Sequence, residues 1–262
     1  MDLPEGYTNT FDEIFRLVEE KGVLALKPDE GSHGDGFYKF TYEDGKYQLN
    51  YQEVTKQQVL DILEDIDNQY LVTEYINMCD ELKAVYDGAV NTVRMIVFKK
   101  DGKNPQIGNA YVRFGSKKTG AVDNVGAGGM TATIDVATGH FHDAKIVMNN
   151  SIEDCPIHPD TGVPIDGYLP HWEQVKQQVL DVTKSIKQLE FFGVDLAVTN
   201  DGIKFPEINR FPDYPAVEKY TKPTREYLLY KLAGKKHHYG YDVTPNKTLV
   251  HLPKRDSERG KS

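Results

Sequence analysis

Between residues 193 and 209 the sequence runs GVDLAVTNDGIKFPEIN. Two runs rich in β-branched and apolar residues, 194–199 and 203–208, flank Asn200-Asp201-Gly202, a triplet suited to a tight turn with Gly202 at positive φ. This spacing predicts a β-hairpin, and its loop length decides the chemistry. With a three-residue loop, Asp195 lies opposite Glu207, and Asn209 follows Glu207 on the same face because side chains repeat every second residue. A two-residue loop would put Asp195 and Glu207 on opposite faces, so three is the expectation. The other face then carries Val194, Leu196, Val198 and Ile208, with Pro206 and, near the turn, Lys204, as a core side. Two carboxylates and a carboxamide oxygen, without His or Cys, suit a hard cation such as Mg²⁺, which keeps several waters and shares its shell with substrate phosphates. Asp195, Glu207 and Asn209 are therefore candidate metal ligands, and nucleotide chemistry is the class they suggest. A solvated hairpin edge with acids on its wet face would give the same pattern, so the rest of the chain has to decide.

Residues 8–20 read as a helix, with Thr10 and Glu13 spaced as a capping box and Phe11, Ile14, Phe15 and Val18 on one face. Residues 23–27, VLALK, then form a buried strand ending in Lys27, followed by PDEGSHGDG and a second strand over 37–42. Glycines at 31, 34 and 36, with Ser32 between them, free the backbone to turn N–H groups toward an anion, and a lysine at the strand end supplies a point charge for phosphate. The loop leads into a strand, which separates it from a Walker A loop, and an ordinary hairpin connection fits it as well as a phosphate cradle. A helix over 54–68, capped by Thr55, precedes a strand over 70–76, where Glu74, Tyr75 and Ile76 leave the first lobe.

The chain of 262 residues is long enough for one full core or two closely packed lobes. Its formal charge of −9 and pI near 5.4 argue against a general nucleic-acid or anionic-membrane surface, and its expected partners are small molecules. The N-terminus carries no charged-then-apolar signal, and no apolar run approaches the roughly 18 residues of a spanning helix, so the expected location is cytoplasmic. Cys79 and Cys155 stand far apart without metal-ligand neighbours, as two free thiols would.

Farther along, residues 89–98 and 107–114 read as neighbouring strands bearing Arg94 and Arg113, residues whose guanidinium groups bind phosphate or carboxylate bidentately. Asp123 and Asn124 open a glycine segment whose Gly128-Gly129 either approaches a ligand closely or only turns the chain. A hairpin follows through Ile134-Asp135 and Thr138-Gly139. His158 lies in a loop with four prolines and is read as a satisfied loop histidine before a base. A long helix over 171–190 leads into the opening hairpin, and a last helix over 224–232 precedes a solvated tail.

In this order the lysine-ended strand with its glycine loop (LALKPDEGSHGDG), the strand VTEYI, the arginine-bearing strands and the hairpin with Asp195, Glu207 and Asn209 resemble the ATP-grasp superfamily. The segments NTVR at 91–94, Asp123-Asn124 with Gly128-Gly129, Ile134-Asp135 with Thr138-Gly139, and His158-Pro159 with Thr161-Gly162 are similar to its sugar-transfer-associated branch, linked with bacterial surface-polysaccharide biosynthesis. The resemblance spans about 24–215. It implies an α+β fold with two lobes of mainly antiparallel sheet gripping ATP between them: a small lobe over 1–76, a large lobe over 77–234 and a tail over 235–262.

It also implies residue roles. Lys27 would meet the adenine side or α-phosphate, the loop with Gly31, Ser32, Gly34 and Gly36 would close over the phosphates, and Glu74, Tyr75 and Ile76 would frame the adenine. Asp80 or Glu81 would hold the ribose. Two Mg²⁺ ions would be shared among Asp195, Glu207 and Asn209, while Arg94, Arg113 and Asn124 would face the transferring phosphoryl or acyl group. The implied activity is ligation of a small-molecule carboxylate to an amine or thiol through an acyl phosphate, with an amino acid and a uronic-acid sugar as the suggested pair. A small-molecule kinase and a non-catalytic nucleotide-binding module are the alternatives. Members of the superfamily usually carry an N-terminal α/β domain and an earlier phosphate-binding lysine, whereas 26 residues precede Lys27 here, so the expectation is a shortened form or a site completed by a separate domain.

Overall fold

The structure, a computed structural model, describes residues 10–28, 36–64, 70–99, 102–148, 151–210 and 212, with Pro206 described by its backbone alone. The first unit comprises α1 (Phe11–Lys21), β1 (Val23–Pro28), β2 (Tyr38–Glu43), β3 (Lys46–Leu49), β4 (Gln52–Val54), α2 (Lys56–Leu63) and β5 (Tyr70–Glu74). Its strands form one antiparallel sheet in the order β4-β3-β2-β1-β5. Strand alternation sends Leu24, Leu26, Phe40 and Leu49 to a core with Ile14, Phe15, Val18 and Val59 of the two helices. The opposite face carries Ala25, Lys39 and Thr73, which stand abreast on β1, β2 and β5.

Helix α1 ends where Gly22 turns left-handed at φ 78° and returns its N–H to Val18. The Thr10–Glu13 capping box does not form, because Glu13 instead ion-pairs with Arg16 one turn on. Thr55 does cap α2, in a complete box with Gln58. That helix is described only to Leu63, shorter than its pattern predicts, and 65–69 lie outside the described residues.

The second unit begins with α3 (Asp80–Val85) and continues through β6 (Val93–Phe98), β7 (Gln106–Phe114), a 3-10 turn at Val125–Ala127, β8 (Met130–Ile134), β9 (His140–Met148), β10 (Ser151–Asp154), β11 (Gly167–Tyr168), α4 (Trp172–Ser185), β12 (Phe191–Thr199) and β13 (Gly202–Asn209). Its sheet runs β10-β9-β8-β7-β6-β12-β13, with β11 beside β9, and every pairing is antiparallel. One face packs Met95, Val112, Phe141 and Leu196 against Trp172, Val175 and Val179 of α4. Helix α4 stops at Ser185, five residues before its predicted end, and 224–232, where a last helix is expected, lie outside the described residues. No helix among the described residues is long and apolar enough to cross a membrane.

Trp172 anchors α4 by donating its indole N–H to the Val136 carbonyl (2.9 Å), and its ring lies over Gly139 in the β8–β9 turn. A Cβ at Gly139, whose φ is +78°, would stand 2.6 Å from the ring. Gly139→Ala is therefore expected to cost about 2–4 kcal/mol, combining left-handed strain with overpacking. Gly120→Ala, at φ +68° with nothing within 4 Å, should cost only about 1 kcal/mol. Urea unfolding of both variants checks this, and equal losses would contradict the steric part.

Candidate functional site

The hairpin of β12 and β13 closes with a two-residue loop, Asn200-Asp201, because Thr199 pairs with Gly202. The expected three-residue loop is thus wrong, yet Asp195 still stands opposite Glu207. Ala197 pairs with Lys204, and between there and Asp195 the partner strand holds one residue more, at Phe205-Pro206. A bulge is where a proline, lacking an N–H, fits inside a sheet. It restores the register at Glu207, whereas the shorter loop moves Lys204, which precedes the bulge, from the expected core face to the face bearing Asp195, where Lys204 is exposed. Asn209 pairs with Gly193 on that same face.

The row continues inward. Asp195 stands opposite Arg94 on β6, and Arg94 opposite Tyr111 on β7. Arg94 Nε and one terminal nitrogen bond the two Asp195 oxygens at 2.6 Å each, with Asp195 only 3 % exposed and Arg94 8 %. Burial opposes the Arg94 charge, but the bonds from Asp195 and Tyr111 outweigh it and raise the guanidinium above its ordinary range. Arg113 reaches Asp195 at 3.2 Å, and Asn209 Nδ2 donates to it at 3.2 Å. Four donors therefore surround one carboxylate, about as many as its lone pairs can accept. Glu207 points to solvent, and among the described residues no cluster of three or more His, Cys, Asp or Glu converges.

Thr92 and Asp123 hold Arg113 from its other side. Asp123 accepts from the Thr92 N–H (2.8 Å) and hydroxyl, and Arg113 Nε lies 3.0 Å from Thr92 Oγ1 and 3.4 Å from Asp123. Neither residue is among the candidates read from the sequence. The alternation in NTVR carries the signal for Thr92, since residues 92 and 94 share a face and the buried Asn91 turns away to bond the Tyr86 carbonyl and the Gly115 N–H.

Thr92 and Asp123 also line a cavity of about 960 Å³ between the two sheets, at the upper end of the range for small-molecule sites. Ala25, Lys27, Phe37 and Thr73 form its wall on the first sheet; Val90, Gln178, residues 199–201 and Lys204 face them. Glu74, Tyr75, Ile76 and Asn77 form the edge between the sheets. Residues 75–79 belong to no strand and are pinned at both ends: β5 holds Glu74, while the Cys79 N–H bonds the Val198 carbonyl (2.7 Å) and the Asp80 N–H bonds Asn200 Oδ1 (3.1 Å). Backbone N–H and C=O groups at 75–77 thus stand free of sheet pairing beside the cavity.

Of the residues singled out in the sequence, Lys27, Glu74, Tyr75 and Ile76 line this cavity, while Arg94, Arg113, Asp195 and Asn209 form the connected cluster behind Thr92 and Asp123. Asp80 does not line the cavity; it opens α3 with its carboxylate 3.8 Å from Lys83. Asn124 does not line it either, and its Oδ1 accepts the Gly126 N–H (2.9 Å), capping the turn it belongs to. Gly36 is left-handed at φ 75°, and Gly31, Ser32 and Gly34 lie outside the described residues. His158, fully buried, bonds the Gly115 carbonyl through Nε2 and accepts the Asp160 N–H at Nδ1, which makes it a strut. Both cysteines are free thiols, and burial pushes the Cys79 pKa up to about 12.

The sequence pattern of the sugar-transfer associated ATP-grasp family matches residues 4–216. This chain belongs to that family. No curated protein matches it. Among solved structures it is similar to a D-alanine–D-alanine ligase from Bacillus anthracis, at 13 % identity and a TM-score of 0.38 over 80 % of this chain and 50 % of that one. A second structure of a D-alanine–D-alanine ligase from Bacillus anthracis, complexed with ATP, gives 11 % identity and 0.37 over 80 % and 49 %. The chain spans about half the length of the solved structures it matches. For an ATP-grasp protein, the α+β architecture with two antiparallel sheets is the expected one.

Proposed function

We propose that this protein is an ATP- and Mg²⁺-dependent ligase joining a small-molecule carboxylate to an amine or thiol, and that it acts in bacterial surface-polysaccharide synthesis. The observation that carries the reading is the position of the Arg113 cluster: it backs the cavity wall at Thr92 and Asp123, with Lys27 and Lys204 on opposite sides of the same space. Residues 1–76 act as the small lobe, 77–234 as the large lobe and 235–262 as a tail.

Free backbone groups at 75–77 suit a purine edge, and Lys27 and Lys204 suit phosphate. The hard oxygen donors fit Mg²⁺. Glu207 and the Asn209 carboxamide oxygen would hold it first, with Asp195 joining by giving up one of its four donors. Bound metal supplies neutralisation of phosphate charge. In the reaction a substrate carboxylate oxygen bonds the γ-phosphorus as ADP leaves, then the amine or thiol attacks the acyl carbon and releases phosphate. Arg113, kept in place by Thr92 and Asp123, would stabilise charge on the transferring group, and Arg94 would keep Asp195 oriented.

The test is turnover of ATP with Mg²⁺ and hydroxylamine over a panel of amino acids and uronic acids, with nucleotides and adducts read by mass spectrometry. ADP together with a hydroxamate is the expected result and names the acid. ADP with a phosphorylated hydroxyl compound would instead make the protein a kinase, and nucleotide binding without ADP would make it a non-catalytic module.

A further inference from the structure

Strands β3 and β4 are joined by a two-residue turn, Asn50-Tyr51, with φ of 48° and 71°. Two successive left-handed residues suit Asn followed by Gly, and a tyrosine in the second position carries strain that a glycine would not. Strain retained at an exposed turn points to a use for the side chain. Asn50 fixes the turn's direction by accepting the Lys39 N–H (2.8 Å) and donating to the Phe37 carbonyl (3.0 Å).

Tyr51 is 52 % exposed, so its ring is not there to fill a core. Its hydroxyl crosses to the second unit and donates to the Gly88 carbonyl at 2.6 Å. Lys39 places its ammonium 5.0 Å from the centre of the Tyr51 ring and 4.8 Å from that of Tyr75, the connecting residue that lines the cavity. The receiving end is closely packed. A Cβ at Gly88 would meet the Tyr86 hydroxyl at 2.3 Å and its ring at 2.4–2.8 Å, so the backbone lies against that phenol, whose ring stacks on His158 at 4.7 Å and 14°. His158 in turn bonds Gly115, whose N–H bonds Asn91.

We propose that Tyr51 and Lys39 form a latch between the two sheets and are positioning residues for the nucleotide, since Phe37 and Ala25 beside Lys39, and Val90 just beyond Gly88, are walls of the cavity. This rests on the nucleotide reading above. The latch favours the closed arrangement of the walls, and weakening it lowers the closed fraction and the apparent affinity in proportion.

Two variants separate the latch from simple packing. Tyr51→Phe keeps the ring under the Lys39 ammonium and loses the hydroxyl, with its cross-sheet bond and the 3.5 Å contact from Lys39 Nζ. Tyr51→Gly loses the side chain but relieves the backbone strain. Calorimetric titration with Mg-ADP should show a loss of about three- to tenfold for Tyr51→Phe and at least as much for Tyr51→Gly. The melting temperature should be nearly unchanged in the first and equal or higher in the second. Amide hydrogen exchange should accelerate at 37–51 and 86–90 in both. Wild-type affinity in both variants would overturn the latch, as would a Tyr51→Gly melting temperature several degrees lower, which would make Tyr51 a packing residue. If the wild-type protein binds no Mg-ADP, the nucleotide reading fails by itself, and the exchange rates alone then decide whether the cross-sheet bond holds the units together.

Discussion

Asp195→Ala is expected to destabilise the protein by about 3–5 kcal/mol, because it leaves the buried Arg94 guanidinium without its counter-charge. The pair is bidentate, at 2.6 Å on both arms, and both members are more than nine-tenths buried. Against a total stability of about 5–15 kcal/mol the loss is large, and for a domain of this size it lowers the melting temperature by roughly 10 °C or more. The companion variant Asp195→Leu with Arg94→Met removes both charges and fills the space with apolar atoms. It should recover most of the stability, since a buried pair contributes little net stability over a packed apolar replacement. It should recover no nucleotide turnover. Urea unfolding of wild type, the alanine variant and the double variant makes the comparison, and an alanine variant as stable as wild type would refute the buried-pair account.

Glu207→Gln is expected to do the opposite. The carboxylate is exposed on the edge strand β13 and makes no ion pair among the described residues, so the isosteric change should alter stability by no more than about 0.5 kcal/mol. Yet Glu207 faces Asp195 across the hairpin and stands two residues from Asn209, as the negatively charged hard donor of the three that is not committed to arginine. Mg²⁺-dependent nucleotide binding should therefore fall by roughly 100-fold or more. ADP titrations with and without Mg²⁺ check it: the Mg²⁺-dependent part of the affinity should vanish while the metal-free part stays. Unchanged Mg²⁺ dependence would remove Glu207 from the metal site. Together the two variants distinguish an acid that holds the site together from one that holds the cation.

The pairing of Asp195 with Glu207 shows how local pattern and tertiary structure share the work. The expected loop of three residues was wrong by one, and the bulge at Phe205-Pro206 offsets the difference by one. The two errors cancel at Glu207 but not at Lys204, which lies between the turn and the bulge and so changes face. A lysine assigned to the core became a cavity lysine. Similarly, Thr10 and Glu13 carry the spacing of a capping box, but an arginine one turn away competes for the glutamate, and the short-range ion pair forms in its place.

Asp80 and Asn124 were drawn toward the nucleotide only by resemblance; Asn124 caps its own turn, and Asp80 opens α3 with an exposed carboxylate. Thr92 and Asp123 went unassigned because neither residue type signals chemistry by itself. Their meaning comes from holding Arg113 at the cavity wall.

What the sequence by itself determined is therefore periodic and local: strands that alternate, a capped helix at Thr55, and hard oxygen donors two residues apart on one strand. These follow from backbone sterics and the two-residue period of a strand, which act over a few neighbours. Only the tertiary structure decided which charges meet. Arg94 and Asp195 lie 101 positions apart in sequence and come face to face because β6 and β12 pair in one register, and burial then makes their bond obligatory. The cavity belongs to neither sheet alone: it is lined by residues of both and by the connection through Tyr75, Ile76 and Asn77, a join that no local pattern encodes.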